Sequence, residues 1–261
     1  MKLAIAGKGG SGKSTLAGAL ALLLARSGGR VLAVDADPDA NLASALGIPL
    51  DRQREIVPIA DRKALVEERT GAKVKQYGQM FKMNPEVSDI ADEYALVHEG
   101  VALLVLGAIE AGGSGCACPE SVLIRALVTD LVLYRDDALV MDLEAGVEHL
   151  GRGTARGVDV MLVVVEASRM SVECAERVFR MAGDIGITDV RVVANKITAP
   201  ADEEWLRKAL PGREIVAAIP YSTGIRNADR DGRSSLEGMD GEALGRLEGL
   251  LGTLRGEAGD G

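Results

Sequence analysis

Seven short runs of aliphatic residues recur along the sequence, separated by longer segments in which polar and apolar positions are mixed. The runs lie at residues 2–7, 31–37, 101–107, 138–142, 159–168, 189–195 and 214–220. They show no regular polar alternation, which is typical of strands that are buried on both faces. The pattern therefore predicts an α/β protein with a mostly parallel sheet and helices on both faces of that sheet.

The segments between these runs predict helices. The clearest, "STLAGALALLLARSGG" at 14–29, ends in two glycines, which commonly terminate helices. Further helices are predicted over 121–133, 171–182 and 241–255, the last of them short and exposed. Residues 51–99 are polar and irregular, and we expect a helical insertion there, over one edge of the sheet. The elements together predict one domain over residues 1–255, followed by a frayed tail at 256–261.

Composition narrows the class of protein. The 261 residues are 47% hydrophobic, which is enough for one large core. The net charge of -9 argues against a nucleic-acid backbone or an anionic membrane as the main partner. No apolar run approaches the roughly 20 residues that span a bilayer, and the first residues lack the apolar region of a signal peptide. We therefore expect a cytoplasmic protein.

The run "GKGGSGKST" at 7–15 contains a phosphate-binding motif. Residues 7–14 fit G-x-x-x-x-G-K-[ST] between a predicted strand and a predicted helix, which is the context that the motif needs. In such a loop the backbone N–H groups surround the phosphates, the lysine reaches the outer phosphates and the hydroxyl binds Mg²⁺. The predicted nucleotide contacts are Gly9, Gly10, Ser11, Gly12, Lys13, Ser14 and Thr15.

A second lysine, Lys8, stands early in the loop, where it points away from its own nucleotide and would be exposed in a monomer. One interpretation is an ordinary solvated charge. The run nevertheless resembles the deviant Walker A loop of dimeric ATPases such as the nitrogenase iron protein and the septum-site and partition ATPases. In that family the early lysine crosses the dimer interface to the phosphates of the other subunit. The resemblance implies that Lys8 acts in catalysis beside Lys13 and that the protein forms a nucleotide-dependent homodimer.

Two further segments carry carboxylates at the ends of predicted strands. "VDADPDANL" resembles the first switch of the same family, in which the aspartate before proline positions the attacking water; this implies a catalytic role for Asp37. "VMDLEAG" has the form of a Walker B strand, with Asp142 at its carboxyl end. The carboxyl ends of parallel strands are where ligands bind in open α/β sheets. We therefore predict Ser14, Asp37 and Asp142 as Mg²⁺ ligands, directly or through water.

The base of the nucleotide is expected to bind near two later segments. Asn195 in "ANKITAP" is placed to hydrogen-bond a purine edge, with Lys196 beside it. Guanine-specific GTPases carry an aspartate two residues after this lysine, where the present sequence has Thr198, so ATP is favoured over GTP. The resemblance also implies that Pro220 and Tyr221 belong to the loop around the adenine.

Cys116 and Cys118 form a C-x-C pair after a glycine-rich run. Two thiolates at this spacing can chelate one soft or borderline cation, and a dimer with the pair at its twofold axis would supply four ligands for Zn²⁺ or Ni²⁺. The alternative is two buried small residues in a turn. Cys174 lies on an apolar helix face and is predicted to be a core residue.

The double-lysine loop, "DADPDANL" and the central C-x-C pair together resemble the CooC family over nearly the whole sequence. Those ATPases assist nickel insertion into carbon monoxide dehydrogenase, and close relatives serve acetyl-CoA synthase. The resemblance implies that Cys116 and Cys118 bind metal between two subunits, and that ATP hydrolysis is slow without the client enzyme.

Two other functions compete with this one. An iron–sulfur electron donor like the nitrogenase iron protein would draw a second cysteine from beyond the second switch, and residues 142–159 contain none. Two C-x-C pairs could still hold a cluster, so this alternative stays open. A membrane- or DNA-positioning ATPase would need a basic helix or face, whereas the last predicted helix and its tail carry more acids than bases.

Overall fold

The computed structural model describes residues 1–74, 76, 79–108, 118–147 and 149–258. Eight strands form one sheet in the order β3-β4-β2-β5-β1-β6-β7-β8. The strands are β1 (Lys2–Gly7), β2 (Val31–Asp35), β3 (Leu96–His98), β4 (Val101–Val105), β5 (Ala138–Asp142), β6 (Val160–Val165), β7 (Val190–Ile197) and β8 (Ile215–Pro220). All neighbours pair in parallel except β3 and β4, so the predicted mostly parallel sheet is confirmed.

Ten α-helices in the described residues connect or flank these strands. They are α1 (Lys13–Arg26), α2 (Leu42–Ala45), α3 (Leu50–Gln53), α4 (Lys63–Thr70), α5 (Ile90–Tyr94), α6 (Pro119–Tyr134), α7 (Arg169–Ile185), α8 (Pro200–Ala209), α9 (Thr223–Arg230) and α10 (Gly241–Ala258). The three predicted helices that follow the strands β1, β4 and β6 are therefore present. Among the described residues, no helix combines the length and apolar character needed to cross a membrane.

The sheet separates two hydrophobic cores. Leu3 and Ile5 of β1 pack in the core under α1 and α10, whereas Ala4 and Ala6 pack in the core under α6 and α7. Alternation along β1 thus sends successive side chains to opposite faces, and both faces are apolar because both are covered. This arrangement confirms the predicted single α/β domain with helices on both sides of the sheet.

Residues 50–98 contain more than the predicted helices. The short helices α3, α4 and α5 and a 3-10 turn at Ile59–Asp61 are followed by β3, which the sequence did not predict. β3 turns into β4 through Glu99 and Gly100, with φ angles of 46° and 81°. Two consecutive residues with positive φ are typical of tight hairpin turns, which is why this edge strand is antiparallel.

The prediction that the last helix is short and exposed is wrong. α10 has 18 residues and packs on β8 and α1, where Leu247, Leu250 and Leu254 are buried. Exposed glycines on this helix dilute its apolar pattern, which explains why the sequence underestimated its burial. The helix ends at Ala258, three residues beyond the predicted domain end at 255, and residues 259–261 lie outside the described part of the protein.

Candidate functional site

The phosphate-binding motif forms the turn between β1 and α1. Gly7 ends the strand against β6, and a Cβ at this position would collide with the carbonyl oxygen of Val164. Gly12, immediately before α1, has φ 97°, and a Cβ there would collide with the Asn195 amide. Both positions therefore require glycine, for close backbone approach and, at Gly12, for its left-handed conformation. The loop brings the N-terminus of a 14-residue helix to the carboxyl end of the sheet, where backbone N–H groups attract phosphates.

Lys13 is buried at the start of α1 and forms an ion pair with Asp37. Its Nζ lies 3.2 Å from Asp37 Oδ2, and the other Asp37 oxygen accepts a hydrogen bond from the Asp39 N–H at 3.1 Å. The lysine predicted to hold phosphates and the aspartate predicted to orient water are thus in contact across the loop. Phosphate oxygens entering this site would compete with Asp37 for the lysine, so nucleotide binding and the position of Asp37 are coupled.

Asp35 lies at the end of β2 and organises the same turn. It is fully buried, and its oxygens accept the N–H groups of Asp37 at 3.2 Å and Leu42 at 2.9 Å. Burial raises the pKa of Asp35 to about 6, and the two backbone hydrogen bonds oppose that rise. The sequence analysis gave no role to Asp35, the first aspartate of "VDADPDANL". In the structure its hydrogen bonds hold the residues between β2 and α2.

Asp142 pairs in register with Asp35 on the neighbouring strand β5 and faces the phosphate loop. Both of its carboxylate oxygens are buried and form no regular hydrogen bond with the described residues. Burial raises the pKa of Asp142 to about 7, and the nearby Ser14 hydroxyl and Lys13 lower it only in part. An orphaned buried carboxylate beside Ser14 fits a divalent cation, because the cation would compensate the desolvated charge.

The protein by itself does not complete a metal site in its described part. No three or more His, Cys, Asp or Glu side chains among the described residues are arranged to hold a metal ion. Mg²⁺ prefers to keep waters and to take one or two protein ligands together with substrate phosphates. The arrangement of Ser14 and Asp142 beside a phosphate loop therefore suits Mg²⁺ bound together with a nucleotide.

Lys8 lies early in the phosphate loop and contacts Glu166, which directly follows β6. Its Nζ is 3.6 Å from Glu166 Oε1 and 3.4 Å from the carbonyl oxygen of Gly9, and the side chain is 30% exposed. Lys8 thus forms an ion pair at the end of β6, whereas Lys13 pairs with Asp37. The sequence analysis did not predict the contact of Lys8 with Glu166. Without the strand order, the sequence contains no signal that Glu166 would lie beside Lys8.

A cavity of about 410 Å³ adjoins the loop and contains the residues predicted to surround the base. Its lining includes Gly12, Ser14, Thr15, Asn195, Lys196, Pro220 and Tyr221. The other lining residues were not predicted from the sequence. They come from α2, α9 and the segments beside them: Asn41, Ser44, Ala45, Ser222, Ile225, Arg226, Asp229, Arg233 and Ser235. The polar residues of α9 could have been suspected only from their position directly after Pro220 and Tyr221.

The side chains of Asn195 and Lys196 donate hydrogen bonds to the backbone of the phosphate loop. Both residues lie in the last part of β7, at an irregularity in its pairing with β8. The Asn195 amide donates to the Ser11 carbonyl oxygen at 2.8 Å, and Lys196 Nζ donates to the Gly10 carbonyl oxygen at 2.5 Å. Contact of Asn195 with a purine edge stays a prediction.

Of the cysteine pair, only Cys118 belongs to the described residues; Cys116 lies outside them. Cys118 is the residue that caps α6, and its Sγ accepts a hydrogen bond from the Ser121 N–H at 3.4 Å. The side chain is partly exposed, whereas Cys174 is buried on α7 as predicted. Metal binding by Cys116 and Cys118 stays a prediction.

Comparison with known proteins identifies the family of the chain. The chain matches the family described as CbiA, the CobQ/CobB/MinD/ParA nucleotide binding domain, over residues 2–236. It is 41% identical to the carbon monoxide dehydrogenase accessory protein CooC of Rhodospirillum rubrum, with 90% of this chain and 89% of that protein covered. It is 40% identical to an uncharacterised ATP-binding protein of Methanocaldococcus jannaschii, over 95% of each protein.

Solved structures share the fold at lower identity. The MinC:MinD cell division complex of Aquifex aeolicus superposes with a TM-score of 0.66 at 20% identity, covering 99% of this chain and 96% of the other. MinD of Pyrococcus horikoshii with Mg-ADP gives a TM-score of 0.66 at 19% identity, covering 98% and 96%. These likenesses concern the fold alone.

Proposed function

The chain belongs to the CobQ/CobB/MinD/ParA family of nucleotide-binding ATPases and, within it, to the CooC family; from this premise we propose that it is an ATP-driven metal-insertion accessory protein. Its client would be carbon monoxide dehydrogenase or the related acetyl-CoA synthase, and it would act as a cytoplasmic homodimer. The observation that carries the proposal is the convergence of Lys13, Asp37 and the orphaned Asp142 at the phosphate loop of a protein 41% identical to a CooC protein.

ATP hydrolysis follows from the charges at the loop. Ser14 and Asp142 would hold Mg²⁺, which would neutralise charge on the phosphate oxygens. The triphosphate would take Lys13 from Asp37, and the released carboxylate would orient a water molecule toward the γ-phosphorus. Attack by that water breaks the bond to the β-phosphate oxygen and yields ADP and inorganic phosphate.

Lys8, the second lysine of the loop, would complete the ATP site of the partner subunit in a dimer. Lys8 is partly exposed and pairs with Glu166, whereas Lys13 of the same subunit is buried and pairs with Asp37. We propose that each Lys8 binds the phosphates in the partner subunit, so that the two subunits close only when ATP is present. Charge neutralisation in the transition state would then depend on both subunits.

Replacing Lys8 with alanine tests the cross-subunit role. We expect turnover of ATP to fall about 10- to 1,000-fold, because a cation on the transferred phosphate is lost, and ATP-dependent dimerisation to fall with it. Nucleotide affinity of the monomer should stay within about threefold. The matched control is Lys208→Ala, which removes an exposed lysine on α8. Normal turnover by Lys8→Ala would contradict the proposal.

The cargo would be a Ni²⁺ or Zn²⁺ ion held by Cys116 and Cys118 of two subunits. Cys118 is partly exposed at the N-terminus of α6, the helix that leaves the same end of the sheet as the phosphate loop. Four thiolates complete a tetrahedral Zn²⁺ site or a square-planar Ni²⁺ site. Closure with ATP would bring the pairs together, and opening after hydrolysis would release the ion to the client.

Native mass spectrometry with added Ni²⁺ or Zn²⁺ tests this cargo role. We expect one ion per dimer with an ATP analogue, and loss of tight binding in Cys116→Ser/Cys118→Ser. Cys174→Ala is the matched control, because it removes a thiol that is buried in the core. Unchanged metal stoichiometry in the double variant would exclude the cysteine site, and a visible charge-transfer band after anaerobic purification would favour an iron–sulfur electron donor instead.

A further inference from the structure

Glu166 is the ion-pair partner of Lys8 within one subunit. We propose that Glu166 is a positioning residue for the dimeric reaction: it retains the Lys8 ammonium on its own subunit until a partner's triphosphate competes for it. The inference rests on the proposed function, because it assumes that Lys8 acts across the interface.

Sheet topology brings the two residues together. β1 lies beside β6, and Gly7 pairs with Val164, so the segments that leave these strands start side by side. Lys8 follows Gly7 directly, and Glu166 follows the last residue of β6. The resulting separation of Lys8 Nζ and Glu166 Oε1 is 3.6 Å, with side chains 30% and 26% exposed. The pair is open to solvent on one side, which leaves Lys8 free to exchange partners.

The start of α7 keeps Glu166 in place. The Glu166 N–H donates to Ser171 Oγ at 3.1 Å, and the Ser168 hydroxyl donates to Glu166 Oε1 at 3.5 Å. Ser168 also caps α7, whose 17 residues direct a positive helix end toward this carboxylate. Lys8 is held less firmly than Glu166, because beside the ion pair its Nζ donates a long hydrogen bond of 3.4 Å to the Gly9 carbonyl oxygen.

This geometry opposes closure of the dimer in two ways. Lys8 must leave Glu166 before it can bind phosphates of the partner subunit. After it leaves, the Glu166 carboxylate remains beside the path of Lys8 and repels the partner's triphosphate. Both effects vanish when Glu166 becomes neutral, so neutralisation should favour the closed dimer. ADP lacks the γ-phosphate and competes less well for Lys8, so the ion-pair penalty leaves a smaller fraction of the ADP-bound protein in the closed dimer.

The variant Glu166→Gln tests the proposal through dimerisation. We expect its dimer with a non-hydrolysable ATP analogue to be about 2- to 25-fold tighter than that of the unaltered protein, measured by analytical ultracentrifugation. An exposed ion pair changes an equilibrium by about 1.5- to 5-fold, and a twofold dimer contains two such pairs. With ADP, the variant should dimerise measurably more than the unaltered protein. Glu166→Asp, which keeps the charge, should restore the weaker ATP-dependent association.

Kinetic measurements distinguish a positioning role of Glu166 from a purely structural role. Because Glu166 pairs with Lys8, whereas Lys13 of the same subunit pairs with Asp37, KM for ATP in Glu166→Gln should stay within about twofold at saturating protein. Turnover at low protein concentration should rise as the dimer population rises. The control is Glu173→Gln, which neutralises an exposed glutamate on the same helix α7 and should change neither quantity.

A double-mutant cycle distinguishes failure of this inference from failure of the proposed function. If Glu166 acts through Lys8, Glu166→Gln should change dimerisation far less in the Lys8→Ala background. If Lys8→Ala abolishes ATP-dependent dimerisation but Glu166→Gln leaves it unchanged or weakens it, the inference is wrong and the cross-subunit lysine stands. If Lys8→Ala has no effect, both are wrong.

Discussion

At the scale of single residues, the site contains two aspartates that are buried although burial disfavours their charged form. Asp35 and Asp142 lie in register on adjacent strands, both buried, and each is disfavoured in its charged form. Asp35 is compensated by two backbone N–H groups, whereas Asp142 has no comparable partner among the described residues. The difference assigns them separate functions, with Asp35 shaping the turn after β2 and Asp142 available to a cation.

Asp142→Asn should therefore separate stability from activity. The raised pKa of about 7 means that Asp142 binds a proton more tightly in the folded protein than in the unfolded protein. Deprotonation of Asp142 therefore lowers the free energy of unfolding as pH rises from about 4 to 7. At pH 8 without Mg²⁺, the asparagine variant should be more stable by about 1–2 kcal/mol in urea unfolding. Its Mg²⁺-dependent ATP turnover should fall at least about 100-fold. Equal or lower stability would show that the charge is compensated in solution.

Gly12→Ala tests the close approach of the loop to β7. The new Cβ would meet the Asn195 amide and would occupy a φ of 97°, which side chains rarely adopt. We expect a loss of about 1–3 kcal/mol in thermal or urea unfolding and at least tenfold weaker binding of an ATP analogue. Gly12→Ala/Asn195→Ala should recover only part of the stability, because the collision is removed and the backbone strain stays. Full recovery would mean that strain is unimportant here.

At the scale of elements, the helices on one face of the sheet pack by different means. α1 is almost entirely buried and comes so close to α2 that Gly18 lies against Ala45. α10 buries one leucine-rich side and exposes the other, where Gly245 and Gly249 have open space around the position of a Cβ. A glycine in α1 is thus a packing requirement, whereas these glycines in α10 only reduce helix stability.

The same substitution should therefore have opposite effects on the two helices. Gly245→Ala and Gly249→Ala should each raise the free energy of unfolding by about 0.5–1 kcal/mol, because alanine has the higher helix propensity. Gly18→Ala should lower it by about 1–3 kcal/mol, because its Cβ would lie 2.9 Å from the Ala45 Cβ and 3.0 Å from the backbone of Ala45. Chemical denaturation of the three variants provides the test. Destabilisation by both α10 substitutions would contradict the placement of those glycines on the open side.

At the scale of the whole molecule, ATP and metal would act on one equilibrium between open and closed dimers. The phosphate loop and the start of α6 lie at the same end of the sheet, so the proposed closure about that end would affect both proposed sites. Coupling between two binding events is reciprocal by thermodynamic necessity. An ATP analogue should therefore tighten metal binding by the same factor by which metal tightens analogue binding.

Paired titrations measure this linkage. We expect a common factor of about 5 to 150, from metal competition with a chromophoric chelator and from analogue binding with and without metal. In Cys116→Ser/Cys118→Ser the metal should leave analogue affinity unchanged. Tight metal binding that is independent of the analogue in the unaltered protein would show that the thiol site forms without closure.

The sequence alone determined the features that depend on neighbouring residues. The phosphate loop is one contiguous run, and the aliphatic runs identify buried parallel strands whose carboxyl ends carry Asp37 and Asp142. The same pattern predicts helices on both sides of the sheet, because strands that are apolar on both faces must be covered on both faces. Fold class and family were therefore predictable before the structure.

Only the tertiary structure decided which distant residues meet. Glu166 reaches Lys8, and Asn195 reaches Ser11, because β6 and β7 follow β1 in the sheet, an order that local patterns do not encode. The burial of α10 and the antiparallel β3 likewise depend on surfaces contributed by remote segments. Short-range preferences specify elements, whereas long-range packing free energy selects their neighbours, so the contacts that position Lys8 and the loop became visible only once the sheet was assembled.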